Sequence, residues 1–175
     1  MAKCSIFCGV SLDGFIARPN GELDWLSGGG PPDDHGYDDF VATVDALVIG
    51  RKTYETVLGF GGWFYGEMPV VVLSTKELEK LPEGGNVERM SGDPAAIVAE
   101  LESRGRNHLY IDGGLTIQGF LRAGLIDRMI ISRLPVLIGE GIPLFGPTEK
   151  DIRWKLERVR EFPSGMVQCE YSRSV

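Results

Sequence analysis

Short apolar runs that end at glycine or other turn residues are the main pattern of the chain. Such runs are typical of strands that are buried on both faces of a sheet. Between them lie segments whose apolar residues have helical spacing, and two alternating segments near the C-terminus resemble the strands of a hairpin. The predicted strands are 4–10, 46–49, 69–73, 108–111 and 129–133, the predicted helices are about 34–44, 51–58, 94–104 and 116–123, and the hairpin strands are 153–162 and 167–172.

The order of these elements predicts an α/β fold. Strands and helices alternate four times before the hairpin. This order favours a three-layer αβα architecture, in which helices cover both faces of a mostly parallel central sheet and an antiparallel strand completes its C-terminal end. No repeat or linker interrupts residues 1–175, so a single domain is expected. Ligands of such sheets bind at the carboxyl ends of the strands.

Charge and composition exclude several classes of protein. A net charge of −7 and a pI near 4.9 argue against nucleic acid as a partner. No apolar run approaches the roughly 20 residues of a membrane-spanning helix, and the short apolar start is unlike a signal peptide, so we expect a cytoplasmic protein that binds no membrane. Cys4, Cys8 and Cys169 are interpreted as buried thiols, and with two histidines no metal site is expected.

Three of the predicted strands are followed by glycine, hydroxyl or basic residues. Gly50-Arg51-Lys52-Thr53 and Gly113-Gly114-Leu115-Thr116 each open a helix, and free N–H groups at a helix start bind anions. Leu73-Ser74-Thr75, followed by a lysine, offers hydroxyls and a cation to an adenosine 2′-phosphate. Each segment alone is equally well explained as a turn or a solvated helix start. Together they predict a dinucleotide, although the Gly-x-Gly-x-x-Gly and P-loop motifs are absent.

Several motifs make the chain similar to a known family. Ser11-Leu12-Asp13-Gly14-Phe15-Ile16-Ala17 resembles the first-strand signature of the reductase domain of riboflavin biosynthesis. Val48-Ile49-Gly50-Arg51-Lys52-Thr53-Tyr54-Glu55 is similar to the cofactor segment of dihydrofolate reductases. The segments 123–128 and 135–145 also resemble the riboflavin reductase domain, and the likeness runs along essentially the whole chain.

The resemblance implies a dihydrofolate-reductase-like fold and NADPH as cofactor. It implies cofactor contacts from all three strand-end segments, and a loop from Arg18 to Trp25 that packs over the nicotinamide. It also implies a cis peptide bond within Asp112-Gly113-Gly114, without indicating which bond. Relatives of this kind often form homodimers, so a homodimer is expected.

Two carboxylates are candidates for the reacting end. Asp13 lies in the first-strand signature, but Asp-Gly is also a common turn pair. Asp34 falls where dihydrofolate reductases carry the acidic residue that holds the pterin, although acids in a first helical turn are also common caps. Trp25 and Tyr37 are candidates for stacking on a flat heterocyclic substrate, with core packing as the alternative.

The sequence also departs from the riboflavin enzymes. Phe15 stands where they commonly have lysine, and Asp33, Asp34, Asp38 and Asp39 make the expected substrate side acidic. The zinc deaminase signature of the bifunctional enzymes is absent. The leading interpretation is an NADPH-dependent reductase that resembles 5-amino-6-(5-phosphoribosylamino)uracil reductase. The alternatives are a dihydrofolate or other pterin reductase, and an NADPH-binding module without catalytic activity.

Overall fold

The computed structural model describes residues 1–27 and 33–174, and these form an α/β fold with a large mixed sheet. The helices are α1 (Tyr37–Val41), α2 (Arg51–Gly59), α3 (Pro94–Ser103) and α4 (Gly114–Arg122). The strands are β1 (Lys3–Val10), β2 (Phe15–Ala17), β3 (Ala46–Gly50), β4 (Val70–Leu73), β5 (Val87–Met90), β6 (His108–Asp112), β7 (Arg128–Arg133), β8 (Ile142–Pro143), β9 (Trp154–Glu161) and β10 (Val167–Arg173).

Eight strands form the main sheet in the order β5-β4-β3-β6-β1-β7-β10-β9. The six strands from β5 to β7 are parallel, and β10 and β9 complete the sheet as an antiparallel hairpin. The short strands β2 and β8 pair separately and antiparallel to each other. The mostly parallel sheet and its antiparallel C-terminal strands confirm the predicted fold class.

Alternate residues along the central strands pack against different helices. Cys4, Ile6 and Val10 of β1 join the core cluster that contains the apolar faces of α3 and α4. The odd-numbered residues of β6 and β7 belong to the same cluster, whereas Tyr110 of β6 and Ile130 of β7 pack with Phe40 of α1 and Tyr54 of α2. Because side chains along a strand alternate between the two faces of a sheet, the helices form layers on both faces.

The structure adds three strands that the sequence pattern does not predict. β5 is an edge strand with two exposed polar residues at its centre, so it lacks a continuous apolar run. β2 and β8 are three and two residues long, which is too short for any periodicity to be recognised. The first helix is shorter than expected because Gly36 adopts a left-handed conformation with φ of 84°, so that α1 begins only at Tyr37. None of the helices in the described ranges is long and apolar enough to cross a membrane.

Candidate active site

The three predicted cofactor segments lie side by side at the carboxyl edge of the sheet. The register pairs Gly50 of β3 with Leu73 of β4, and Ile49 of β3 with Asp112 of β6. Adjacent strands lie about 4.8 Å apart, so the residues that follow β4, β3 and β6 share one edge. The expectation that these strand ends face a common ligand is therefore compatible with the topology.

The starts of α2 and α4 face each other across this edge. A Cβ atom at Gly50 would lie 2.9 Å from the hydroxyl oxygen of Thr116, and a Cβ atom at Gly113 would overlap the hydroxyl of Thr53. Neither Gly50 nor Gly113, the residues that precede the two helices, provides a side-chain cap. The first-turn N–H groups of both helices consequently lack intrahelical and capping partners, which is the arrangement that favours anion binding.

A left-handed glycine makes the turn from β6 into α4. Gly113 has φ of 88° and ψ of 132°, a conformation that other residues rarely adopt. The prediction of a cis peptide bond was wrong, because the described residues contain none and all bonds of Asp112-Gly113-Gly114 are trans. The chain passes from β6 into α4 through the positive φ of Gly113.

Basic and hydroxyl residues surround this edge, with differing freedom to contact a ligand. Arg51 forms an ion pair with Glu55 at 2.5 Å, and Lys52 is exposed. Ser74 is nearly buried and its hydroxyl bonds to the backbone N–H and carbonyl of Lys76, whereas Thr75 is exposed.

Arg89 is a further cation that the sequence analysis did not identify. It lies on the edge strand β5 and donates to the Ser74 carbonyl at 3.1 Å. It also forms an ion pair with Glu77 at 2.8 Å. Because β5 lacks a strand-like apolar run, its residues could not be placed beside Ser74 from the sequence.

The β2–β8 ladder lies against the start of α4. A Cβ atom at Gly114 would lie 3.0 Å from Ile16 of β2 and 3.2 Å from Ile142 of β8. The following residue, Leu115, is 73% exposed, which is unusual for a leucine next to so many buried groups. The loop from Arg18 to Trp25 is closed by the Arg18–Asp24 ion pair at 2.6 Å, and Gly21 approaches Thr56 of α2. The loop thus lies against α2, and its predicted packing over the nicotinamide stays a prediction.

Asp13 holds the β8 loop in place. Its carboxylate accepts hydrogen bonds from the Ser11 hydroxyl at 2.6 Å, from the Gly139 N–H at 2.9 Å and from the Ile138 N–H at 3.3 Å. These donors lower the pKa of Asp13, the Ser11 hydroxyl most strongly. An exposed carboxylate with a lowered pKa is a poor proton donor. The geometry thus favours a positioning role for Asp13.

Asp34 caps the turn that leads into α1. Its carboxylate accepts from the N–H groups of Gly36 at 3.1 Å and Asp38 at 2.9 Å. These two bonds, that of Asp38 first, lower the pKa of Asp34. The side chain is exposed. Capping therefore accounts for its position, and the predicted role in holding a heterocycle stays a prediction.

Trp25 is buried in a small apolar cluster with Leu134 and Met166, near the β9–β10 turn. It is 8% exposed, and its indole N–H is buried without a hydrogen-bond partner in the described part of the chain. An unpaired buried donor is costly, by about 1–3 kcal/mol. The packing agrees with the core interpretation of Trp25.

Asp112, the last residue of β6, is the main residue that the sequence analysis did not assign to the site. Its carboxyl is largely buried, and burial raises its pKa even though the Gly113 N–H donates to it at 2.7 Å. It was considered only as the start of the glycine turn. Asp112 lies two residues after Tyr110, on the same face of β6, and it ends the strand. These two features are the signal that would have identified it.

Three tyrosines lie around the Asp112 carboxyl. Burial raises the pKa of Tyr37 to about 12, and the nearby Asp112 carboxylate adds to this effect. Burial and then the same carboxylate also raise the pKa of Tyr65 and Tyr110. The Tyr110 hydroxyl donates to the Phe7 carbonyl at 2.9 Å, and the ring of Tyr37 packs edge-on against Phe7 with centroids 5.5 Å apart. Tyr37 thus lies on the same side of the sheet as Asp112.

Metal and thiol chemistry find little support in the described ranges. Residues 1–27 and 33–174 contain no group of His, Cys, Asp and Glu side chains that could hold a metal ion. Cys4 and Cys8 are buried as predicted, and burial raises the pKa of both thiols. Cys169 is only partly buried, because it lies on β10 beside a cavity.

Comparisons with known proteins give the chain close relatives. The family described as RibD C-terminal domain matches residues 2–168. The protein YwjB of Bacillus subtilis is 31% identical over 173 residues, which cover 98% of each chain. The crystal structure of a Shewanella sp. PV-4 protein, provisionally named a riboflavin biosynthesis protein, is 40% identical and superposes with a TM-score of 0.92 over 100% of both chains.

More distant structures share the fold. The diaminohydroxyphosphoribosylaminopyrimidine deaminase/5-amino-6-(5-phosphoribosylamino)uracil reductase of Thermotoga maritima is 19% identical and has a TM-score of 0.72. The alignment covers 99% of this chain and 57% of that chain. A pyrimidine reductase-like protein of Corynebacterium diphtheriae is 18% identical with a TM-score of 0.68.

Proposed function

Because the chain belongs to the RibD C-terminal domain family, we propose that it is a reductase that uses NADPH to reduce a C=N or C=O bond of a small heterocyclic compound. One observation carries the proposal. The uncapped starts of α2 and α4 meet at Gly50 and Gly113, directly beside the buried carboxyl of Asp112. An anion site next to a buried acid is what a reductase with a phosphate-bearing cofactor requires.

The residues at this edge fit a dinucleotide phosphate. The glycines leave room for a close approach to the backbone, and the uncapped starts of both helices lie next to each other. Thr53 and Thr116 add hydroxyl donors there. Thr75, with Arg89 and Lys76 nearby, would hold the 2′-phosphate that distinguishes NADPH from NADH.

Bound NADPH would supply the hydride. The protein's own contribution is positioning and charge. Asp112 is protonated more readily than an ordinary aspartic acid and can hold a proton beside the reacting atom. The β2–β8 ladder covers the start of α4 and limits access of water. Tyr37 and Tyr65 pack against the core cluster that contains Tyr110, on the face of the sheet that Tyr110 shares with Asp112.

The first candidate substrate is 5-amino-6-(5-phosphoribosylamino)uracil, by similarity to the family. Two features bear on its phosphate group. Phe15, where related enzymes commonly have lysine, lies in β2 and pairs with Pro143. Asp33, Asp34, Asp38 and Asp39 are exposed around the start of α1, and their negative charge opposes an anionic substrate. A substrate without the phosphate is therefore an informative comparison.

The proposal is tested by following NADPH absorbance with purified protein and three compounds. These are the phosphoribosylaminouracil, its dephosphorylated form and dihydrofolate. We expect NADPH consumption with at least one of them, and a loss of about a hundredfold or more in kcat for Asp112→Asn, which removes the proton donor. NADPH affinity should be unchanged in this variant, because the helix starts are intact.

The result also separates the rival functions. Turnover of dihydrofolate alone would support a pterin reductase. NADPH binding without oxidation of the cofactor by any of the three compounds would argue for a binding module. Absence of NADPH binding in a folded protein would contradict the proposal at its first step.

A further inference from the structure

A cavity of about 600 Å³ lies between α4, the C-terminal half of the sheet and the segment that follows β8. Its floor is formed by odd-numbered residues of β7 and β10, among them Ile131 and Cys169, which pair across the two strands. Leu121 of α4 forms one wall, and the segment between β8 and β9 forms the other. A volume of this size is within the range of small-molecule sites, about 300–1,000 Å³.

The cavity lies on the α4 face of the sheet, and its lining includes Gln118 of α4 and Leu144 beside β8. Tyr37 and Tyr110 of the candidate active site lie on the other face. Residues of β7 that line the cavity alternate with Ile130, which packs in the core cluster that includes Tyr37 and Tyr110. The cavity therefore lies on the opposite face of the sheet. The lining runs from Val10 of β1, the strand next to β6, across β7 to β10.

The lining of the cavity is apolar and aromatic, with positive charge at each end. Phe145, Trp154 and Tyr171 are among the lining residues. The lining also includes Arg122 and Arg133 and contains no acidic residue, although the chain carries a net charge of −7. Neither arginine takes part in an ion pair in the described ranges.

The two arginines differ in their surroundings. Arg133 ends β7, so it lies at the carboxyl edge of the sheet, opposite Val167 of β10. Arg122 ends α4, which runs back toward the other edge, and there it shares a second pocket with Glu149 and Asp151. Lys150, Arg153 and Arg173 line that second pocket as well, so Arg122 is one of several charges of both signs there. Arg133 is the single charged residue at its own end of the cavity lining, and a negative group inside the cavity would therefore depend mainly on Arg133.

We propose that this cavity is a second ligand site, which binds an aromatic compound with one carboxylate or sulfonate group. The aromatic body packs between Trp154 and the β7–β10 floor, where stacking and burial of apolar surface favour it. The anionic group lies beside Arg133. This binding is independent of the dinucleotide and goes beyond the reductase function proposed above.

The test uses two fluorescent probes that share one aromatic frame. 8-Anilinonaphthalene-1-sulfonate carries a sulfonate, and N-phenyl-1-naphthylamine is its uncharged counterpart. We expect the sulfonate to bind more tightly to the intact protein, and Arg133→Gln to weaken its binding about tenfold while leaving the uncharged probe unaffected. Arg122→Gln is the matched charge-removing control and should change neither affinity. NADPH should not displace either probe.

A further variant tests the location. Cys169→Trp places a large side chain in the cavity and should abolish binding of both probes, with circular dichroism and Tm reporting on folding. If this variant does not fold, alkylation of Cys169 in the unaltered protein gives the same information, because Cys4 and Cys8 are buried. The sulfonate should then protect Cys169 from alkylation.

Several results would overturn the proposal. Equal effects of Arg133→Gln and Arg122→Gln would show a non-specific charge effect. Displacement by NADPH would place the probe in the dinucleotide site. Binding that survives a folded Cys169→Trp, or that fails to protect Cys169, would show an adventitious additive only. A Cys169 that resists alkylation in the free protein would show that a second copy of the chain covers the cavity.

Discussion

Asp112 is a buried carboxyl whose charged form is unfavourable in the folded protein. Burial raises its pKa because the charged form loses hydration that a single N–H bond from Gly113 does not replace. The folded protein therefore binds this proton more tightly than the unfolded chain does. The contribution to stability is fully present below the unfolded value of 3.8 and is lost as pH rises through the higher pKa of the folded state.

Replacing this carboxyl by an amide has a predictable effect on stability. Asn keeps an oxygen that can accept from Gly113 but does not ionise, so Asp112→Asn should be more stable than the unaltered protein at pH 8. The difference should shrink as the pH is lowered toward 4. Urea unfolding at a series of pH values measures it. A constant difference at all pH values would mean that Asp112 is not the group that titrates.

Asp13 should behave in the opposite way. Its pKa is lowered by Ser11, Gly139 and Ile138, so its contribution to stability is present above the unfolded value of 3.8 and is lost as the pH falls through the lower value of the folded state.

Asp13→Asn turns an amide N–H toward backbone donors, and the N–H groups of residues 138 and 139 should exchange with solvent several-fold faster. Hydrogen exchange measures this. Asp24→Asn, which breaks only the Arg18 pair, should leave their exchange unchanged, and an equal effect of both variants would contradict the positioning role.

Residue types at strand ends were readable from the sequence, but their partners were not. Gly50, Gly113 and the threonines follow apolar runs in a recognisable order. Whether a carboxylate accepts hydrogen bonds depends on contacts between distant segments. Asp13, for example, accepts from the N–H groups of Ile138 and Gly139, which are 125 and 126 positions away along the chain. The same limitation hid Asp112, whose charge affects the pKa of Tyr37, Tyr65 and Tyr110, residues that are distant from one another in the sequence.

At the scale of elements, the start of α4 combines a backbone requirement with close packing. Gly113 has a φ of 88°, and a Cβ atom there would overlap Thr53 of α2. Gly113→Ala should therefore destabilise the fold by about 1–3 kcal/mol from backbone strain alone, and it should weaken NADPH binding by pushing the two helix starts apart. Chemical denaturation and NADPH titration by fluorescence measure the two effects.

Gly119 provides the matched control within the same helix. A Cβ atom at Gly119 meets nothing within 4 Å. In a helix interior, alanine is more favourable than glycine by about 1 kcal/mol. Gly119→Ala should therefore stabilise the protein and leave NADPH affinity unchanged. Loss of NADPH binding in both variants would show that α4 as a whole is sensitive, and not the glycine at its start.

Buried elements were predictable because their signal is local. The continuous apolar run of β3 has four residues below 1% exposure, and Asp93, a residue type common at helix starts, caps α3 through the Ala95 N–H at 2.9 Å. The short strands β2 and β8 owe their existence to each other and to the close approach of Gly141 to Ala17. A pairing of this kind leaves no periodicity in the sequence, so the cover of the candidate site could not be predicted.

At the scale of the whole molecule, one continuous sheet connects the candidate cofactor edge to the C-terminal hairpin. β1 contacts both β6 and β7, and β10 joins β7 to β9. Single domains with one core usually unfold in a cooperative transition. The expected homodimer stays a prediction, and light scattering of the purified protein would give its mass.

The tryptophans allow the single-domain prediction to be tested directly. Trp25 lies near the β9–β10 turn, Trp63 packs against Tyr54 of α2, and Trp154 begins β9. We expect variants that retain only one tryptophan to unfold in urea with transitions that coincide with circular dichroism. NADPH at about 100 times its Kd should raise the free energy of unfolding by about 2.7 kcal/mol for every probe, since it binds only the folded state. If Trp154 reported a separate transition that NADPH does not shift, the β9–β10 hairpin would be an independent unit and the single-domain prediction would be wrong.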